Sequence, residues 1–422
     1  MNLKPLYIRI FLLLLAFLTQ MPSKAQDLQR AKSIVDSLCA PYMNGRGYTN
    51  QGDKIAANFI KNQFEAAGLT FFGKGPFHRF KLDVNTFGGN MELKLGRKTL
   101  RPGKDYIAHP ASPKANGVGK LLYLDSAAIK NPTSKLFKIK WESTILAYEE
   151  KYATDLYKLP KKYVALFLKA KAHLLIVDKL TYWVSRSQHQ QAKLLVLKEA
   201  FNPSAKKVNF TIDAQVKYGY QSQNVVAYIE GKSQPDSFMV FTAHYDHLGN
   251  MGANTFFPGA NDNASGVAML IELANYYAKN PPACSVAFIA FSAEEAGLVG
   301  SRYYTESPFF PLKQIKFLIN LDLFATGEKG MTAVNGSVYK EAFALLEQIN
   351  QTHNYLPRIG KRGEAANSDH YFFYKENVPC FFFYLEGDWK HYHDVNDTTP
   401  IPFSKFKEAF LLIRDFTNQL AK

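Results

Sequence analysis

The sequence predicts an α/β protein with a mostly parallel mixed sheet and helices on both faces of that sheet. From about residue 205 to 422, short and nearly continuous apolar segments alternate with amphipathic segments that have helical spacing. Apolar strands separated by helices are typical of parallel strands that are buried on both faces. With 422 residues, 47% of them hydrophobic, the chain can form a large core and a second structural unit. This composition excludes an intrinsically disordered protein.

Each element of this fold has its own signature along the chain. Between residues 28 and 68, two runs of apolar residues at helical spacing predict two helices, with a turn at Gly45-Arg46-Gly47 between them. Five apolar strands are predicted at Val225–Ile229, Phe238–Thr242, Val286–Phe291, Phe317–Leu321 and Cys380–Tyr384. Four further helices are predicted at 265–279, 300–306, 338–353 and 403–420.

The stretch 86–205 interrupts this pattern. It contains a β-like part punctuated by glycine and proline, Lys-rich helical segments, and the short strands Leu174–Val177 and Leu194–Leu197. Few of its residues have an evident catalytic character. We therefore predict that residues 26–85 and 206–422 form the main domain and that 86–205 is an inserted, smaller α+β domain or lid.

The first 25 residues have the features of a secretory signal peptide. Lys4 and Arg9 precede an apolar run from Ile10 to Leu18, and Ser23-Lys24-Ala25 supplies small residues before a cleavage ahead of Gln26. The apolar run is too short to span a bilayer core of ~30 Å as a helix. We therefore expect export to the periplasm or the extracellular space, without stable membrane insertion.

The charge of the chain points to no specific macromolecular partner, and its cysteine content limits disulfide formation. The chain has 51 basic and 36 acidic residues and a formal net charge of +15. No block of lysine and arginine along the sequence is dense enough to predict binding of nucleic acid or lipid, so we expect solvated lysines spread over the surface and no nucleic-acid partner. The odd number of cysteines (Cys39, Cys284 and Cys380) excludes a complete disulfide framework and allows at most one pair.

Histidines and acidic residues are found where the predicted strands end or the next helix begins. His244 and Asp246 follow the second strand, Asp262 precedes helix 265–279, Glu294 and Glu295 follow the third strand, Asp322 closes the fourth, and His393 and Asp397 follow the fifth. In an open α/β sheet, ligands bind at the carboxyl ends of the strands. Singly, each residue has a simpler explanation; Asp262, for example, is also a candidate helix cap. Their repetition in five successive segments, each at the end of a strand or at the start of the next helix, favours a common site.

Imidazole and carboxylate groups that converge at one edge of a sheet are suited to a divalent metal. Zinc accepts both ligand types, and structural zinc sites are usually closed by four ligands, often cysteines. Because the chain has only 3 cysteines, the pattern favours a catalytic site rather than a structural one.

The five segments, in this order, resemble the M28 family of zinc-dependent peptidases, which includes aminopeptidases and glutamate carboxypeptidases. The resemblance covers residues 28–85 and 205–422. The family's phosphorylase/hydrolase-like fold agrees with the alternation of strands and helices. The stretch 86–205 resembles the protease-associated domain that many members carry as an insertion.

This resemblance implies a role for each residue of the five segments. It implies two Zn²⁺ ions per chain, with His244 and Asp322 on one ion, His393 and Glu295 on the other, and Asp262 bridging both. Glu294 would be the general base. Asp246 would fix the tautomer of His244, and Asp397 would support His393. The family register sets aside His247 and His391 as ligands and leaves Ser368-Asp369-His370 with a structural or substrate-lining role.

The implied activity is hydrolysis of peptide bonds by a metal-activated water molecule, with Glu294 taking the proton and delivering it to the leaving amine. The expected substrates are peptides or proteins with a free N-terminus, from which single amino acids are removed. The run Phe381-Phe382-Phe383-Tyr384 is interpreted as a buried strand, with the lining of a side-chain pocket as the alternative.

Three other functions are compatible with the pattern. A glutaminyl cyclase shares the fold but uses one zinc, and Asn261–Gly266 and Glu294–Ser301 follow the peptidase form instead. A metal-free binding protein of the same fold would have lost ligands, whereas all of them are present. A carboxypeptidase acting on acidic C-terminal residues would need basic residues in its pocket, for which Arg358, Lys361 and Arg362 are the candidates.

Overall fold

The structure of the protein is a computed structural model that describes residues 27–422. The strands, in chain order, are β1 (Phe77–Thr86), β2 (Met91–Leu95), β3 (Lys98–Leu100), β4 (Tyr106–Ala108), β5 (Ala115–Tyr123), β6 (Thr144–Glu149), β7 (Ala172–Val177), β8 (Lys193–Leu197), β9 (Lys207–Ile212), β10 (Gln215–Ile229), β11 (Gln234–His244), β12 (Cys284–Phe291), β13 (Ile315–Asp322), β14 (Gly330–Val334), β15 (Ile359–Lys361) and β16 (Cys380–Glu386). The predicted signal peptide lies outside the described residues.

The helices alternate with these strands as the sequence predicts. The α-helices are α1 (Leu28–Leu38), α2 (Gly52–Ala66), α3 (Ser126–Lys130), α4 (Ala153–Lys158), α5 (Lys161–Phe167), α6 (Gly266–Lys279), α7 (Val299–Glu306), α8 (Lys340–His353), α9 (His370–Lys375) and α10 (Phe406–Leu420). Short 3₁₀ helices span Pro41–Arg46, Ser134–Lys138, Trp141–Ser143, Glu150–Tyr152 and Leu312–Gln314, and a π-helical turn spans Ala260–Ser265.

The main sheet has eight strands in the order β1-β10-β12-β11-β13-β16-β14-β15. Its centre, from β12 through β11 and β13 to β16, is parallel. In this register His244 pairs with Phe291, and Asp322 pairs with Tyr384. The carboxyl ends of the four central strands therefore lie at one edge of the sheet, which is where the sequence predicts the site.

Helices cover both faces of the main sheet, and the predicted α/β fold class is confirmed. On one face α1, α2, α6, α8 and α10 pack against alternate strand residues such as Phe241, Phe288 and Phe383. On the other face α7 and α9 pack against the intervening residues, among them Val240 and Ile289. Since successive side chains of a strand point to opposite faces, this double burial explains why the strands are nearly continuous in apolar residues.

A second sheet of eight strands, in the order β3-β2-β9-β5-β6-β7-β8-β4, contains residues from Met91 to Ile212. It has its own apolar core, which includes Trp141, Tyr148 and Phe210. The predicted strands Leu174–Val177 and Leu194–Leu197 correspond to β7 and β8. Strand β9 lies beyond the predicted limit at residue 205, yet it pairs with β2 and β5 of this sheet because its apolar side chains alternate in register with theirs. The division into domains at 86–205 itself remains a prediction.

The predicted turn at Gly45-Arg46-Gly47 joins the N-terminal helices to the strand-end loops of the main sheet. A Cβ atom on Gly47 would lie 2.4 Å from the Cα atom of Gly249, so this close approach of two backbones requires glycine. The Arg46 side chain is fully buried and donates hydrogen bonds to the backbone carbonyls of Leu38, Tyr245, Pro258, Gly259 and Asp262. Arg46, in the predicted turn, thus holds together two loops that carry predicted site residues.

Two further expectations concern the whole chain. Cys39, Cys284 and Cys380 are all free and buried, so no pair forms among them. Among residues 27–422, no helix combines the length and the apolar character needed to cross a membrane.

Candidate metal centre

The predicted site residues come from five loops at the carboxyl edge of the main sheet. His244 and Asp322 are the last residues of β11 and β13, and Glu294 and Glu295 follow β12. Asp262 lies in the π-helical turn before α6, and His393 lies in the loop after β16. The parallel arrangement of the central strands brings these loops together, as the pattern of strand ends predicts.

His244, Asp262 and Asp322 form one group of possible metal ligands. Nε2 of His244 lies 3.2 Å from Oδ1 of Asp262 and 3.5 Å from Oδ1 of Asp322. All three residues are buried. Oδ1 of Asp322 has no hydrogen-bond partner among residues 27–422, which suits an atom that is available to a cation.

His393 forms a corresponding group with Asp262 and Glu295. Its Nε2 atom lies 3.1 Å from Oδ2 of Asp262 and 3.3 Å from Oε2 of Glu295. Asp262 therefore directs one carboxylate oxygen towards each of the two histidines. The structure brings all five predicted ligands into a single cluster.

The chemistry of this donor set fits zinc. Zinc takes imidazole nitrogen and carboxylate oxygen as ligands. Both histidines direct Nε2 towards carboxylates, while Nδ1 contacts a backbone carbonyl. Nδ1 of His244 lies 3.2 Å from the carbonyl of Asp246, and Nδ1 of His393 lies 2.8 Å from the carbonyl of Tyr182. Such contacts fix the ring orientation and the tautomer of each imidazole.

The protein groups of the cluster perturb one another strongly. Burial disfavours a charged imidazole, but the carboxylates of Glu294 and Asp322 outweigh it and hold the pKa of His244 well above its usual range. Burial likewise opposes the charge on His393, yet Glu295 and Asp262 raise its pKa to about 9. Burial would also raise the pKa of Asp262, but hydrogen bonds from His244 and His393 lower it well below 3.8. Carboxylates that stabilise positive charge at two imidazoles would also stabilise a bound cation.

Glu294, the predicted base, lines a cavity that opens directly onto the cluster. Burial raises the pKa of its carboxyl group well above 4.5, and the neighbouring Glu295 adds to this effect. A carboxyl group whose proton affinity is increased in this way is suited to proton transfer near neutral pH. The cavity is lined by His244, Asp262, Glu294, Asp322, Leu323, Arg362, Asn367, Phe382, Tyr384 and Tyr392.

Asp246 links the base to the N-terminal part of the chain. It is fully buried, and its carboxylate accepts the backbone N–H of Glu294 at 3.1 Å and the hydroxyl group of Tyr48 at 3.0 Å. Its Oδ1 atom lies 3.8 Å from Nδ1 of His244, beyond hydrogen-bond distance. The predicted contact with His244 is therefore made through the Asp246 carbonyl, and the carboxylate holds the main chain at Glu294. Burial raises the pKa of Asp246 to about 7.

Asp397 holds the loop that carries Asp262. Its carboxylate accepts the backbone N–H groups of Asn261 and Asp262, both at 2.9 Å, and the indole N–H of Trp389 at 2.9 Å. The sequence resemblance implies support of His393, whereas the contacts in the structure are to the turn of Asp262 and to Trp389. Burial raises the pKa of Asp397 to about 7.

His247, which the family register sets aside as a ligand, lies beside the cluster. It is fully buried, its Nδ1 atom lies 2.8 Å from Oε1 of Glu295, and it belongs to a possible ligand group with Asp262 and Glu295. Its Nε2 atom has no hydrogen-bond partner in the described part of the chain. The sequence signal for His247 is its position three residues after His244, although the family register does not place a ligand there. His391 is different, since it is half-buried and its Nδ1 atom lies 3.7 Å from Oδ2 of Asp394.

The main chain at the site adopts unusual conformations. Ala293, directly before the two glutamates, and His393 have φ angles of 60° and 57°, in the left-handed region that residues other than glycine rarely occupy. Gly259, before the turn of Asp262, has φ of 61°, and a Cβ atom there would lie 2.2 Å from the carbonyl oxygen of Asp262. Such conformations concentrate at functional sites that the surrounding structure holds in place.

The aromatic run after residue 380 fulfils both interpretations that the sequence allows. It forms β16, in which Phe381 and Phe383 belong to the core while Phe382 and Tyr384 line the cavity. Alternation along a strand produces this division. Sequence reasoning did not single out Tyr392, which lines the cavity and stacks on the His393 ring with a centroid distance of 3.9 Å.

Comparison with known proteins agrees with this geometry. The family model for peptidase family M28 matches residues 224–417, which contain all the predicted site residues. Aminopeptidase YwaD from Bacillus subtilis is 39% identical over 108 residues, and a probable zinc metalloprotease from Pyricularia oryzae is 33% identical over 123 residues. These segments are 25% and 28% of this chain and span only 22% and 24% of the two relatives.

Solved structures resemble nearly the whole chain. The zinc aminopeptidase BSAP from Bacillus subtilis superposes with a TM-score of 0.71 at 19% identity, covering 96% of this chain and 97% of its own. An aminopeptidase from Aneurinibacillus sp. strain AM-1 gives a TM-score of 0.63 at 20% identity, with 94% and 95% coverage. At this level of identity the likeness establishes the fold.

Proposed function

We infer that this chain, whose residues 224–417 match the model for peptidase family M28, is a zinc-dependent peptidase that removes amino acids from the N-termini of peptides. The observation that carries this proposal is the arrangement of Asp262, whose carboxylate oxygens lie 3.2 Å and 3.1 Å from Nε2 of His244 and His393. One carboxylate between two imidazoles is the arrangement that a pair of cations about 3.5–4 Å apart requires. The aminopeptidases among the similar proteins support the choice of reaction.

The proposal assigns a ligand set to each of two zinc ions. His244 and Asp322 would hold one ion, His393 and Glu295 would hold the other, and Asp262 would contact both. When bound, the ions polarise the scissile carbonyl and lower the pKa of water to about 7. His247 contacts Glu295 and would orient that carboxylate.

The protein groups supply the proton transfer and the positioning of the substrate. Glu294 would take the proton of the attacking water and deliver it to the leaving amine, since its carboxyl group lines the cavity and has a raised pKa. Asp246 would keep Glu294 in place through the backbone N–H of that residue. The acidic groups of the cavity would attract the free α-ammonium group of the substrate.

A second candidate function is favoured by one observation, namely that Arg362 lines the cavity. Its guanidinium group donates to the hydroxyl group of Tyr384 at 3.1 Å, and it forms no ion pair with a carboxylate among residues 27–422. By contrast, Arg358 pairs with Glu386, and Nζ of Lys361 lies 4.6 Å from the centroid of the Phe343 ring. A free guanidinium group in the cavity would suit the carboxylate of a substrate, as in a carboxypeptidase acting on acidic residues.

A metal count combined with a substrate panel tests the proposal. We expect two zinc ions per chain by inductively coupled plasma mass spectrometry, and hydrolysis of amino-acid anilides but not of their N-acetylated forms. Release of C-terminal glutamate from N-blocked peptides, lost in Arg362→Gln, would instead establish the second candidate. One zinc ion with cyclisation of N-terminal glutamine would contradict both.

We also propose that the chain is exported, which the pattern of residues 1–25 supports. Mass spectrometry of the N-terminus of the protein, purified from its native host, tests this. We expect a mature chain that begins at Gln26. A chain that retains Met1 and stays in the cytosol would contradict export.

A further inference from the structure

The positive charge of the chain is concentrated in one unit. Residues 86–205 contain 21 lysines and arginines against 9 acidic residues, a net charge of +12. Residues 26–85 and 206–422 contain 27 basic and 27 acidic residues and are therefore neutral. The second sheet and its helices thus carry all of the net charge that remains after residue 25.

Folding gathers a part of this charge into one patch. The basic patch consists of Lys135, Lys138, Lys140, Lys161, Lys162 and Lys169, all of which are exposed. No acidic residue occurs in 126–141 or in 156–177, and none of the six lysines forms an ion pair with a carboxylate among residues 27–422. Glu142 is the exposed acidic residue that adjoins the patch in sequence.

Aromatic contacts hold the two lysine-bearing segments side by side. The rings of Phe137 and Tyr163 lie 5.2 Å apart, and those of Trp141 and Phe167 lie 5.3 Å apart. The hydroxyl group of Tyr163 also donates to the carbonyl of Pro132 at 3.2 Å. The 3₁₀ helix Ser134–Lys138 and α5 therefore form one continuous surface, although residues 139–160 separate them in sequence.

Apolar side chains project from the same surface. Phe137 is 47% exposed and Leu168 is 51% exposed, values that are high for residues of this type. Phe137 is followed by Lys138 of the patch, and Leu168 lies between the end of α5 and Lys169 of the patch. Lysines around exposed Phe and Leu are the composition of protein surfaces that lie in the headgroup region of a membrane.

We propose that the basic patch binds the surface of a bilayer that contains anionic phospholipid. The lysines would lie among the lipid phosphates, and Phe137 and Leu168 would insert at the boundary with the acyl chains. The patch lies near the start of β7, which begins directly after Lys171. Tyr182 lies beyond the other end of β7 and contacts the loop of His393. With a rise of about 3.3 Å per residue, β7 separates the two regions by roughly 17 Å or more. The cavity would therefore stay open to substrate in the bound state.

The composition of the patch favours lipid over nucleic acid. All six cations are lysines, whereas arginine is the preferred residue for recognition of nucleic acids, with its planar group that binds phosphate through two hydrogen bonds. Nζ of Lys162 lies 5.9 Å from the centroid of the Phe137 ring, so an ammonium group already occupies a position near the ring on which a base would stack.

Sedimentation with vesicles tests the proposal on the full-length mature chain. We expect binding to vesicles of phosphatidylethanolamine with 30% phosphatidylglycerol, no binding to phosphatidylcholine vesicles, and a decrease of binding at 0.5 M NaCl. Replacing Lys135, Lys138, Lys161 and Lys162 by Gln should weaken binding by at least about tenfold, since each lysine near an anionic surface contributes about 1 kcal/mol. Phe137→Ser with Leu168→Ser should remove the binding that persists at high salt.

A matched control removes the same charge elsewhere. Lys32, Lys232, Lys279 and Lys407 are exposed residues of the main unit that form no ion pair in the described part of the chain. Their replacement by Gln should leave vesicle binding within about twofold of the unmodified protein, because the attraction decays within a Debye length. Equal losses in both fourfold variants, or retention of a DNA oligonucleotide without retention of vesicles, would overturn the proposal. Zinc content and circular dichroism confirm that each variant is folded.

Discussion

The backbone of Tyr182 and the side chain and backbone of His393 are joined by two hydrogen bonds. Nδ1 of His393 lies 2.8 Å from the carbonyl of Tyr182, and the N–H of Tyr182 donates to the carbonyl of His393 at 3.1 Å. Tyr182 comes from the segment that follows β7 of the second sheet, whereas His393 belongs to the main unit. The second sheet therefore contributes directly to the orientation of a predicted metal ligand.

We expect Tyr182→Ala to weaken zinc binding on the His393 side of the site. The Tyr182 ring stacks on Phe257 with a centroid distance of 4.9 Å, so its loss frees the backbone that orients His393. Loss of a group that orients a ligand typically costs about 10–100-fold in metal affinity. Titration with a zinc chelator should show one weakened site and one unchanged site.

Tyr182→Phe is the matched control, because it keeps the ring and the backbone. Its zinc affinity should equal that of the unmodified protein. If both zinc ions are held equally well in Tyr182→Ala, the second sheet does not support the metal centre.

Glu294→Gln should remove turnover and leave zinc binding intact. The amide cannot accept the proton of the attacking water, and general-base catalysis contributes about 10²–10⁴-fold to rate. The measurement is kcat on an amino-acid anilide together with the zinc content of the same preparation. A fully active variant would show that another group takes the proton, and loss of zinc would show that Glu294 is a ligand.

Gly259→Ala should destabilise the site, whereas Gly73→Ala should not. A Cβ atom on Gly259 would lie 2.2 Å from the Asp262 carbonyl and 2.4 Å from the His247 ring, whereas one on Gly73 would meet no atom within 4 Å. Clashes of this kind with backbone, added to a left-handed φ, cost on the order of 1–3 kcal/mol. Urea unfolding of both variants tests this, and equal stabilities would contradict the assigned backbone geometry.

The carboxyl group of Asp53 should make the free energy of unfolding depend on pH. Asp53 is buried, accepts hydrogen bonds from Tyr220 at 2.6 Å and Ser222 at 2.8 Å, and burial raises its pKa from 3.8 to about 6. Between these two values the folded state binds more protons than the unfolded state. The stability that Asp53 contributes is therefore fully present below about pH 4 and decreases by about 3 kcal/mol as pH rises through 6.

Asp53→Asn isolates this effect, because the amide resembles the protonated acid and does not titrate. Relative to the unmodified protein, the variant should gain stability as pH rises from 4 to 7, as measured by urea unfolding at each pH. A constant difference between the two proteins would show that the pKa of Asp53 is not raised.

Much of the main unit was predictable because its signals are local. The apolar runs that become β11, β12, β13 and β16 are visible as continuous segments, and the helices between them have regular spacing. Strands β14 and β15 were not predicted, since they are short and lie at the edge of the sheet, where β14 pairs with β16 and β15 pairs with β14. Strand β9 was not predicted either, and its pairing with β2 and β5 depends on tertiary packing rather than on its own residues alone.

The sequence by itself determined the α/β class and the five segments, at strand ends or before a helix, that supply His244, Asp262, Glu295, Asp322 and His393, because apolar patterns and residue types can be read locally along the chain. Only the tertiary structure decided which groups touch them. Tyr182 reaches the site from a segment that carries no local signal. The contact of His247 with Glu295 and the position of Arg362 in the cavity also depend on how distant segments are oriented. The basic patch also depends on tertiary structure. Its lysines come from two separate segments, which are brought together when α5 packs against the 3₁₀ helix Ser134–Lys138 and Trp141.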